Sequence, residues 1–460
     1  MQNSELIYFK DKKVAVIGAG VEGISTADYL ASKGAVVSLL DKKIGTEIET
    51  KRLDQVKKLR VKYCFGKDYL SSLEDFEIVF RSPGVRRDLP EIINAEKAGT
   101  QITSQIKLFF DLCSAPIVGI TGTKGKGTTA SLIYEILKAA GKKVFLGGNI
   151  GKPPLDFLDQ VTADSLVVLE LSSFQLMDLE KSPHIAVVLM ITSEHLDWHK
   201  DVDEYTKAKG RIVKYQNEND FVVINKDFPS SLKLGEASRA KKYYVSTKES
   251  LERGAYIDKG FIVSVTNGWT TIAKIDEVKI PGEHNLQNIA AAVAVAGILE
   301  IPPDIISKTI ISFKGLPHRL EFVREVNGVK FYSDSASTTP ETAIAAVKAF
   351  KNPKIVILGG SSKQSDFGQL GRAISTNNLK AVILIGEEAK RIKEAIGVAK
   401  FSGEVIEGLK TMEEIVEKAK DLAKPGDVAI LSPACASFDM FKNYLDRGEQ
   451  FKATVNSLEN

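Results

Sequence analysis

The sequence has little cysteine and no long apolar run, and both scarcities narrow the class of protein. Cys64, Cys113 and Cys435 are the only cysteines among 460 residues, and they lie far apart. Such a set forms neither a disulfide framework nor the paired spacing of a zinc site, so a reducing compartment is expected. No stretch approaches the roughly 20 apolar residues of a membrane span, and the opening run MQNSELIYFKDKK lacks a signal-peptide core. We therefore expect a cytoplasmic protein without membrane insertion.

An excess of charge of one sign is also absent. The 62 lysines and arginines against 59 aspartates and glutamates give a net charge of +3, which excludes the strongly basic surface of a nucleic-acid-binding protein. The apolar fraction of 43% and the charged fraction of 26% are ordinary for a globular enzyme. A chain of this length is too long for one hydrophobic core, and roughly three domains are expected.

Short β-branched strands alternate with amphipathic helices along most of the chain, which is typical of α/β layers around parallel sheets. The first unit is predicted to contain strands at 13–17 and 35–40, with a helix at 24–33 between them. The second begins with a strand at 116–120, and turn signals between residues 242 and 280 indicate a small antiparallel patch at its edge. The predicted domains are residues 1–104, 105–316 and 317–460.

The strongest chemical signal is the run GITGTKGKGTT at residues 119–129, between a predicted strand and a predicted helix. Glycines at a helix N-terminus let backbone N–H groups bind phosphate oxygens, while a lysine reaches the β- and γ-phosphates and a hydroxyl binds magnesium. Here Gly127 follows Lys126, so the magnesium hydroxyl moves to Thr128. A glycine-rich turn with a surface lysine is the alternative. The predicted ATP-binding residues of this loop are Gly122, Thr123, Lys124, Gly125, Lys126, Gly127 and Thr128.

A second glycine turn, GAGVEG at residues 18–23, fits the pattern G-x-G-x-x-G, and Asp41 follows at the expected distance. Taken alone, this motif indicates a nicotinamide- or flavin-dependent oxidoreductase. A uridine diphosphate would suit the same turn, because a helix N-terminus binds pyrophosphate whatever base is attached. Asp41 would then face a ribose or a base edge. The motif alone leaves both interpretations open.

Six further runs carry a family resemblance: GGNIG at 147–151, LELSSFQL at 169–176, ITSEHLDWH at 191–199, PGEHNLQNIAAA at 281–292, LPHR at 316–319 and LSPACASFDMF at 431–441. They resemble the ATP-dependent Mur ligase family, in order and over nearly the whole chain. The resemblance implies an α/β fold with a Rossmann-like N-terminal domain, a P-loop central domain and a Rossmann-like C-terminal domain. As activity it implies ATP-dependent ligation of D-glutamate to UDP-N-acetylmuramoyl-L-alanine through an acyl phosphate, in peptidoglycan precursor synthesis.

The resemblance implies catalytic and metal-binding roles for a small set of residues. Glu170, at the end of an apolar strand, would share a magnesium ion with Thr128, and His195 would bind a second one. Lys209 matches a lysine that carbon dioxide carbamylates. An ammonium repels magnesium whereas a carbamate offers it two oxygens, and burial favours the neutral amine that carbamylation needs. Lys126 completes the catalytic set. By composition alone, Glu170 could be a helix cap, His195 a structural histidine and Lys209 a solvated helix residue.

Contacts with the three substrates are carried over in the same way. Asn285 and Asn288 lie on one face of an alanine-rich helix, where side-chain amides would pair with the adenine. Arg319 and Asp334 are expected to contact ATP, with Asp334 at the ribose hydroxyls. The remaining contacts are Gly18, Ala19, Gly20, Asp41, Ser82, Pro83 and Gly84 for the uridine nucleotide, Asn149, Ser172 and Gln175 for the sugar and L-alanyl end, and Lys363, Ser437 and Tyr444 for glutamate.

Three departures from the family pattern keep alternatives open. The run Lys126-Gly127-Thr128 also resembles folylpolyglutamate synthases, and Met190 replaces a usual asparagine. Ala336 stands where a lysine is common, which leaves the choice between D- and L-glutamate undecided. A Mur ligase that adds a diamino acid, a nicotinamide-dependent dehydrogenase and a non-catalytic nucleotide sensor are further alternatives. We expect a monomer that binds only small molecules.

Overall fold

The chain, seen in a computed structural model, is described for residues 8–44, 54, 57–58, 61–192, 198–362 and 365–459. Its strands form three sheets with helices packed against them. The chain divides into two compact units, residues 1–272 with 287–309 and residues 273–286 with 310–460. The first unit holds two sheets and the second holds one. Within these described ranges no helix combines the length and apolar character needed to cross a membrane.

The N-terminal sheet has five parallel strands in the order β3-β2-β1-β4-β5. The first helix begins at Val21, three residues earlier than predicted, because Gly20 is its N-cap residue. The strand order reverses between β1 and β4, which places the loops after these two strands side by side. The elements are β1 Lys13–Ile17, α1 Val21–Ser32, β2 Val36–Asp41, β3 Lys62–Phe65, β4 Ile78–Arg81, α2 Pro90–Lys97, β5 Gln101–Thr103 and α3 Gln105–Leu112.

The central sheet has nine strands in the order β14-β13-β12-β11-β10-β9-β6-β8-β7. The predicted antiparallel patch is confirmed, since β12 and β13 pair antiparallel near one edge. Its strands are β6 Ile117–Thr121, β7 Val144–Gly148, β8 Leu166–Glu170, β9 Ile185–Val188, β10 Phe221–Asn225, β11 Lys241–Ser246, β12 Gly254–Asp258, β13 Phe261–Ser264 and β14 Thr270–Lys274. The helices that follow α3 are α4 Lys126–Ala139, α5 Ser173–Leu176, α6 Val202–Lys214, α7 Pro229–Glu236, α8 Glu283–Ile298 and α9 Pro303–Ser312.

The C-terminal sheet has six strands in the order β15-β16-β20-β17-β18-β19. Only the edge strand β15 runs antiparallel to its neighbour among the described pairs. A separate apolar cluster packs on each face of the sheet. The elements are β15 Glu321–Val326, β16 Val329–Ser333, α10 Pro340–Lys348, β17 Lys354–Gly359, α11 Gly368–Thr376, β18 Leu379–Ile385, α12 Ala389–Val398, β19 Glu404–Ile406, α13 Met412–Leu422, β20 Val428–Leu431 and α14 Tyr444–Ser457.

The two sheets of the first unit share one hydrophobic core. Val16 of β1 and Val167 of β8 belong to the same cluster of buried side chains. Phe109 on α3 is fully buried and meets Phe157 edge to face, with ring centroids 5.7 Å apart. Aromatic pairs of this kind add to the apolar area that they bury. The N-terminal and central sheets are therefore packed as one body, although the sequence predicts two domains.

This shared core generates a prediction. Phe109→Ala should lower the free energy of unfolding of the first unit by about 3–5 kcal/mol, the usual cost of a large cavity. Both tryptophans, Trp198 and Trp269, lie in this unit, so urea unfolding followed by tryptophan fluorescence measures it selectively. Phe322→Ala is the control, because this side chain is 46% exposed and lies in the second unit. An unchanged fluorescence transition in Phe109→Ala would contradict the shared core.

Candidate active site

The phosphate loop lies between β6 and α4, in the context that the sequence predicts. Gly125 is the N-cap residue of α4 and has a left-handed backbone with φ of +87°. A Cβ atom on Gly125 would lie 2.2 Å from Oδ1 of Asn288, so only glycine fits there. The Lys126 ammonium folds over the loop and donates to the carbonyl oxygens of Gly122 and Thr123, each at 3.0 Å. The loop thus brings Lys126 and Asn288 to one helix N-terminus.

A hydroxyl inside the loop ties it to the neighbouring strand. The side chain of Thr123 is buried, and its Oγ1 donates to the carbonyl oxygen of Thr192 at 3.0 Å. The same oxygen accepts from the amide of Thr192 at 2.9 Å and lies 2.9 Å from the hydroxyl of Tyr205. The amide of Thr123 also donates to the carbonyl oxygen of Met190 at 2.6 Å. Thr123 therefore shapes the loop, and its contact with a phosphate stays a prediction. Thr128, in the first turn of α4, is half-buried.

Glu170 ends β8, beside the strand that leads into the phosphate loop. Its side chain is buried, and Oε1 accepts from Nδ2 of Asn149 at 3.1 Å. Its Oε2 is buried and has no hydrogen-bond partner among the residues that the structure describes. Because an unsatisfied buried carboxylate oxygen is costly, this atom fits a cation ligand. Within the described residues no cluster of three or more histidine, cysteine, aspartate or glutamate side chains could hold a metal.

Lys209 on α6 lies beneath the phosphate loop and is only 2% exposed. Its Nζ donates to the carbonyl oxygen of Gly122 at 2.9 Å and to Oγ1 of Thr121 at 3.4 Å. It also lies 4.7 Å from the ring centroid of Tyr205. The interpretation of Lys209 as a solvated helix residue is therefore wrong. Lys126 and Lys209 both donate to the same carbonyl group, which concentrates positive charge at the loop.

The N-terminal glycine turn follows β1 and lies against the loop that follows β4. Gly18 has a φ of +102°, and a Cβ atom there would lie 2.6 Å from Oγ of Ser82. A Cβ on Gly23 would lie 1.8 Å from the carbonyl oxygen of Gly18. Asp41 accepts from the amide of Ala19 at 2.6 Å through Oδ2 and from the amide of Lys43 through Oδ1. Asp41 thus holds the turn in place, and its contact with a ribose stays a prediction.

Ser172 and Gln175 cap the short helix α5. The Oγ of Ser172 accepts from the amide of Gln175 at 3.2 Å, and Oε1 of Gln175 accepts from the amide of Ser172 at 3.1 Å. This is a capping box, whose two side chains satisfy each other's backbone. Gln175 is also buried. The structure therefore gives both residues a local role, and their predicted contact with the substrate is untested.

In the C-terminal unit, Asp334 joins the ends of two strands. It follows β16, and its Oδ2 accepts from Oγ of Ser432, just after β20, at 2.8 Å. Its Oδ1 accepts from the amide of Leu320 at 3.1 Å. Burial raises the pKa of Asp334 to about 7, although these hydrogen bonds and the charge of Arg319 oppose the rise. Arg319 is exposed, so it remains accessible to a ligand.

Arg447 on α14 is a residue that the sequence analysis missed. Its side chain is fully buried, and Nε donates to Oγ of Ser335 at 3.0 Å. The guanidinium also donates to the backbone carbonyls of Ser335, Cys435 and Ala436. Arg447 therefore connects the segments that carry Asp334 and Ser437. Only the position of an arginine among the buried residues of an amphipathic helix could have indicated it.

Five further predicted site residues are accounted for as follows, and two of them lie outside the described part of the chain. His195 and Lys363 lie outside the described residues. Ser437 is buried after β20, whereas Tyr444 begins α14 and is 42% exposed. The Nδ2 of Asn285 donates to the carbonyl oxygen of Pro281 at 2.7 Å, which occupies one end of that amide.

The sequence analysis also missed a pair of residues in the first unit. Arg81 ends β4 directly before Ser82, and Asp178 follows α5; their side chains form a buried ion pair. A charged residue at the end of an otherwise apolar strand was the available signal. Neither residue belongs to a motif that the sequence analysis used.

Family models match most of the chain. The matches are a Mur ligase MurD-like N-terminal domain at residues 12–104, a Mur ligase middle domain at 120–296 and a Mur ligase glutamate ligase domain at 318–435. A UDP-N-acetylmuramoylalanine–D-glutamate ligase from Acetivibrio thermocellus is 42% identical, and the alignment covers 98% of this chain and 97% of the relative. An enzyme of the same name from Thermoanaerobacter sp. strain X514 is 40% identical over 98% of this chain and 99% of its own length.

Solved structures share the fold at low sequence identity. The UDP-N-acetylmuramate–alanine ligase MurC from Thermotoga maritima superposes with a TM-score of 0.62 at 19% identity, covering 97% of this chain and 99% of its own. A MurF structure from Acinetobacter baumannii gives a TM-score of 0.61 at 14% identity, covering 98% of this chain and 92% of its own. Similarity at this level confirms the predicted three-domain α/β architecture.

The geometry of Gly125 predicts a nucleotide-binding defect. Gly125→Ala should weaken ATP binding at least about tenfold, because the left-handed backbone is strained and the new Cβ displaces Asn288. Gly141→Ala is a matched control, since Gly141 also has a positive φ of +71° but has no atom within 4 Å of a new Cβ. Titration calorimetry with ATP measures both. Equal weakening in the two variants would contradict a specific role for Gly125.

The buried carboxyl of Asp334 predicts a dependence of stability on pH. Its pKa is raised from 3.8 to about 7, so the folded state holds the proton more tightly than the unfolded state. The resulting stabilisation is complete below pH 3.8 and is lost as the pH rises to 7, at up to about 1.4 kcal/mol per pH unit. Asp334→Asn removes this loss. The Tm of the variant minus the Tm of wild type should therefore increase as the pH is raised from 5 to 8.

Melting curves across this pH range test the prediction. Asp304→Asn serves as the control because Asp304 lies on the surface of α9, with 65% of its side chain exposed. A constant difference in Tm between Asp334→Asn and wild type from pH 5 to pH 8 would contradict the assignment.

Proposed function

Because the chain belongs to the Mur ligase family, we propose that it ligates D-glutamate to UDP-N-acetylmuramoyl-L-alanine at the expense of ATP, in the assembly of the peptidoglycan precursor. The observation that carries this function is the arrangement at the carboxyl edge of the central sheet. There, a phosphate loop bearing Lys126 lies beside the strand that ends in Glu170. The second carboxylate oxygen of Glu170 is buried and has no hydrogen-bond partner within the described part of the chain. Such an edge is where open α/β sheets bind ligands.

The first half-reaction moves the γ-phosphoryl group of ATP to the carboxylate of the L-alanyl group. The carboxylate oxygen forms the new bond to phosphorus, the bond to the ADP oxygen breaks, and an acyl phosphate results. Backbone amides at the N-terminus of α4 would bind the phosphate oxygens, and Lys126 would leave the carbonyls of Gly122 and Thr123 to reach them. The acceleration of this step comes from positioning the reactants and from stabilising the charge of the transition state.

In the second half-reaction the amine of glutamate attacks the carbonyl carbon of the acyl phosphate. The tetrahedral intermediate expels inorganic phosphate, and the nitrogen loses a proton to leave an amide. Ser437 and Lys363 would hold the glutamate carboxylates. Arg447 would act through Ser437, because it donates to the carbonyl oxygens of Cys435 and Ala436, which directly precede Ser437.

Magnesium fits the residues that are present, and it would neutralise the phosphate charge when bound. Thr128 and Glu170 would hold one ion, and the unpartnered Oε2 of Glu170 is the atom that supports this. A second ion at His195 and a carbamate on Lys209 belong to the proposal as well. Burial of Lys209 supports carbamylation, because a buried site favours the neutral amine that reacts with carbon dioxide.

The substrate is proposed to bind along the first unit. Its uridine diphosphate would lie between the loop of Gly18, Ala19 and Gly20 and the loop of Ser82, Pro83 and Gly84, where the strand order reverses. Asn149, Ser172 and Gln175 would contact the sugar and the L-alanyl end. We further propose that the enzyme acts in the cytoplasm as a monomer and that its domains correspond to residues 1–104, 105–316 and 317–460.

The alternative functions account for fewer observations. A nicotinamide-dependent dehydrogenase would use the glycine turn but would leave the phosphate loop and Glu170 without a role. A folylpolyglutamate-type ligase would use the phosphate loop but would not need the complete five-stranded sheet before it. The relatives that match over almost the whole chain favour the muramoyl substrate.

Phosphate release from Mg-ATP and UDP-N-acetylmuramoyl-L-alanine tests the function. Release should require D-glutamate, and L-glutamate or no amino acid should give only background. Release that requires L-glutamate instead would show that the region of Ala336 has changed the stereochemical choice. No release with either amino acid would refute the muramoyl function.

A pair of variants tests the role of Glu170 in the same assay. Glu170→Gln should lower kcat at least about 100-fold, because an amide replaces the carboxylate that binds magnesium. Glu180→Gln is the control, since Glu180 forms an exposed ion pair with Lys107. Its kcat should stay within about twofold of the wild-type value.

A further inference from the structure

Arg81 is a charged residue placed where a strand should be apolar. It is the last residue of β4, and its side chain is completely buried. Its Nη1 donates to the carbonyl oxygens of Ser82, Pro83 and Val85. The guanidinium therefore lies inside the loop that begins at Ser82 and holds it through the backbone. A planar cation with five donors suits this role, whereas a lysine has a single nitrogen.

The other side of the guanidinium faces the central domain. Its Nη2 donates to Oδ2 of Asp178 at 2.5 Å, and the Asp178 side chain is only 4% exposed. Asp178 lies two residues beyond the end of α5, the helix that Ser172 and Gln175 cap. Arg87 approaches the second oxygen of Asp178 at 3.6 Å. One ion pair thus connects the loop after β4 directly to the segment after β8.

These two segments are assigned to opposite ends of the substrate. The loop of Ser82, Pro83 and Gly84 is proposed to hold the uridine nucleotide, and α5 to hold the sugar and L-alanyl end. We propose that the Arg81–Asp178 ion pair is a positioning device that sets the span between these two subsites, so that a bound nucleotide delivers the L-alanyl carboxylate to the phosphate loop. This inference rests on the proposed function.

Stability alone is a weak explanation for the pair. The desolvation of two charges offsets most of their attraction, so buried ion pairs contribute little net stability. The same two domains are already joined by the shared hydrophobic core and by the exposed ion pair between Lys33 and Asp159. A rigid connection between the two subsites would instead fix their spacing. When two parts of one ligand bind at a fixed spacing, the binding of the distant part helps to orient the reacting part.

The test compares the full substrate with a fragment that occupies one subsite. In Asp178→Asn, which leaves the contacts of Arg81 with the Ser82 loop in place, kcat/KM for UDP-N-acetylmuramoyl-L-alanine should fall about 10- to 100-fold, because the acyl end is no longer delivered in register. UDP, measured as a competitive inhibitor, should bind within about threefold of wild type, because a single subsite does not sense the spacing. Asp159→Asn removes the exposed ion pair with Lys33 that connects the same two domains, and it should leave both values unchanged.

Melting temperatures separate positioning from unfolding. If Asp178→Asn prevents folding, Asp178→Glu keeps the charge, moves the carboxylate by one methylene and retains Arg81 in its loop, and the same measurements apply to it. If the affinity for UDP falls by the same factor as kcat/KM for the full substrate, the proposal is overturned. An unchanged kcat/KM would overturn it as well. A wild-type enzyme that is inactive with D-glutamate would refute the proposed function itself, whereas an active wild type with normal variants refutes only the positioning role.

Discussion

The carbonyl group of Gly122 accepts hydrogen bonds from two lysines, and the candidate site depends on this interaction. Lys126 reaches it from the first turn of α4, and Lys209 reaches it from beneath the loop. Two ammonium groups on one oxygen repel each other, so the arrangement is most favourable when an anion binds or when one nitrogen changes its charge. ATP would provide the first and carbamylation of Lys209 the second.

A second constraint is the way in which the first unit is built. The N-terminal and central sheets share their core, and Arg81 and Asp178 connect their ligand loops through a buried ion pair. The nucleotide turn and the phosphate loop consequently belong to one body. The C-terminal sheet has cores of its own, and there Asp334 and Arg447 tie together the strand ends that are assigned to ATP and glutamate. Each unit thus uses buried charge to hold its loops.

Several predicted site residues turned out to have structural partners that no sequence pattern shows. Asp41 binds the backbone of the glycine turn, and Ser172 and Gln175 cap a helix. Such partners come from neighbouring strands or from one short helical turn, so spacing along the chain does not reveal them. Arg81 and Arg447 were missed for a related reason. Both guanidinium groups donate hydrogen bonds to backbone carbonyl groups, and only the folded chain brings these groups within reach.

By itself, the sequence determined the α/β class, the antiparallel patch and the phosphate loop, because periodicity and glycine spacing are local properties of the chain. The family followed from the resemblance of its motifs to those of Mur ligases. It also determined the reaction class, since the motifs occur in order along almost the whole length. The tertiary structure alone decided that two predicted domains share a core, that Lys209 is buried and that Glu170 has an unpartnered oxygen. Burial and pairing depend on residues far apart in sequence, and packing alone brings those residues together.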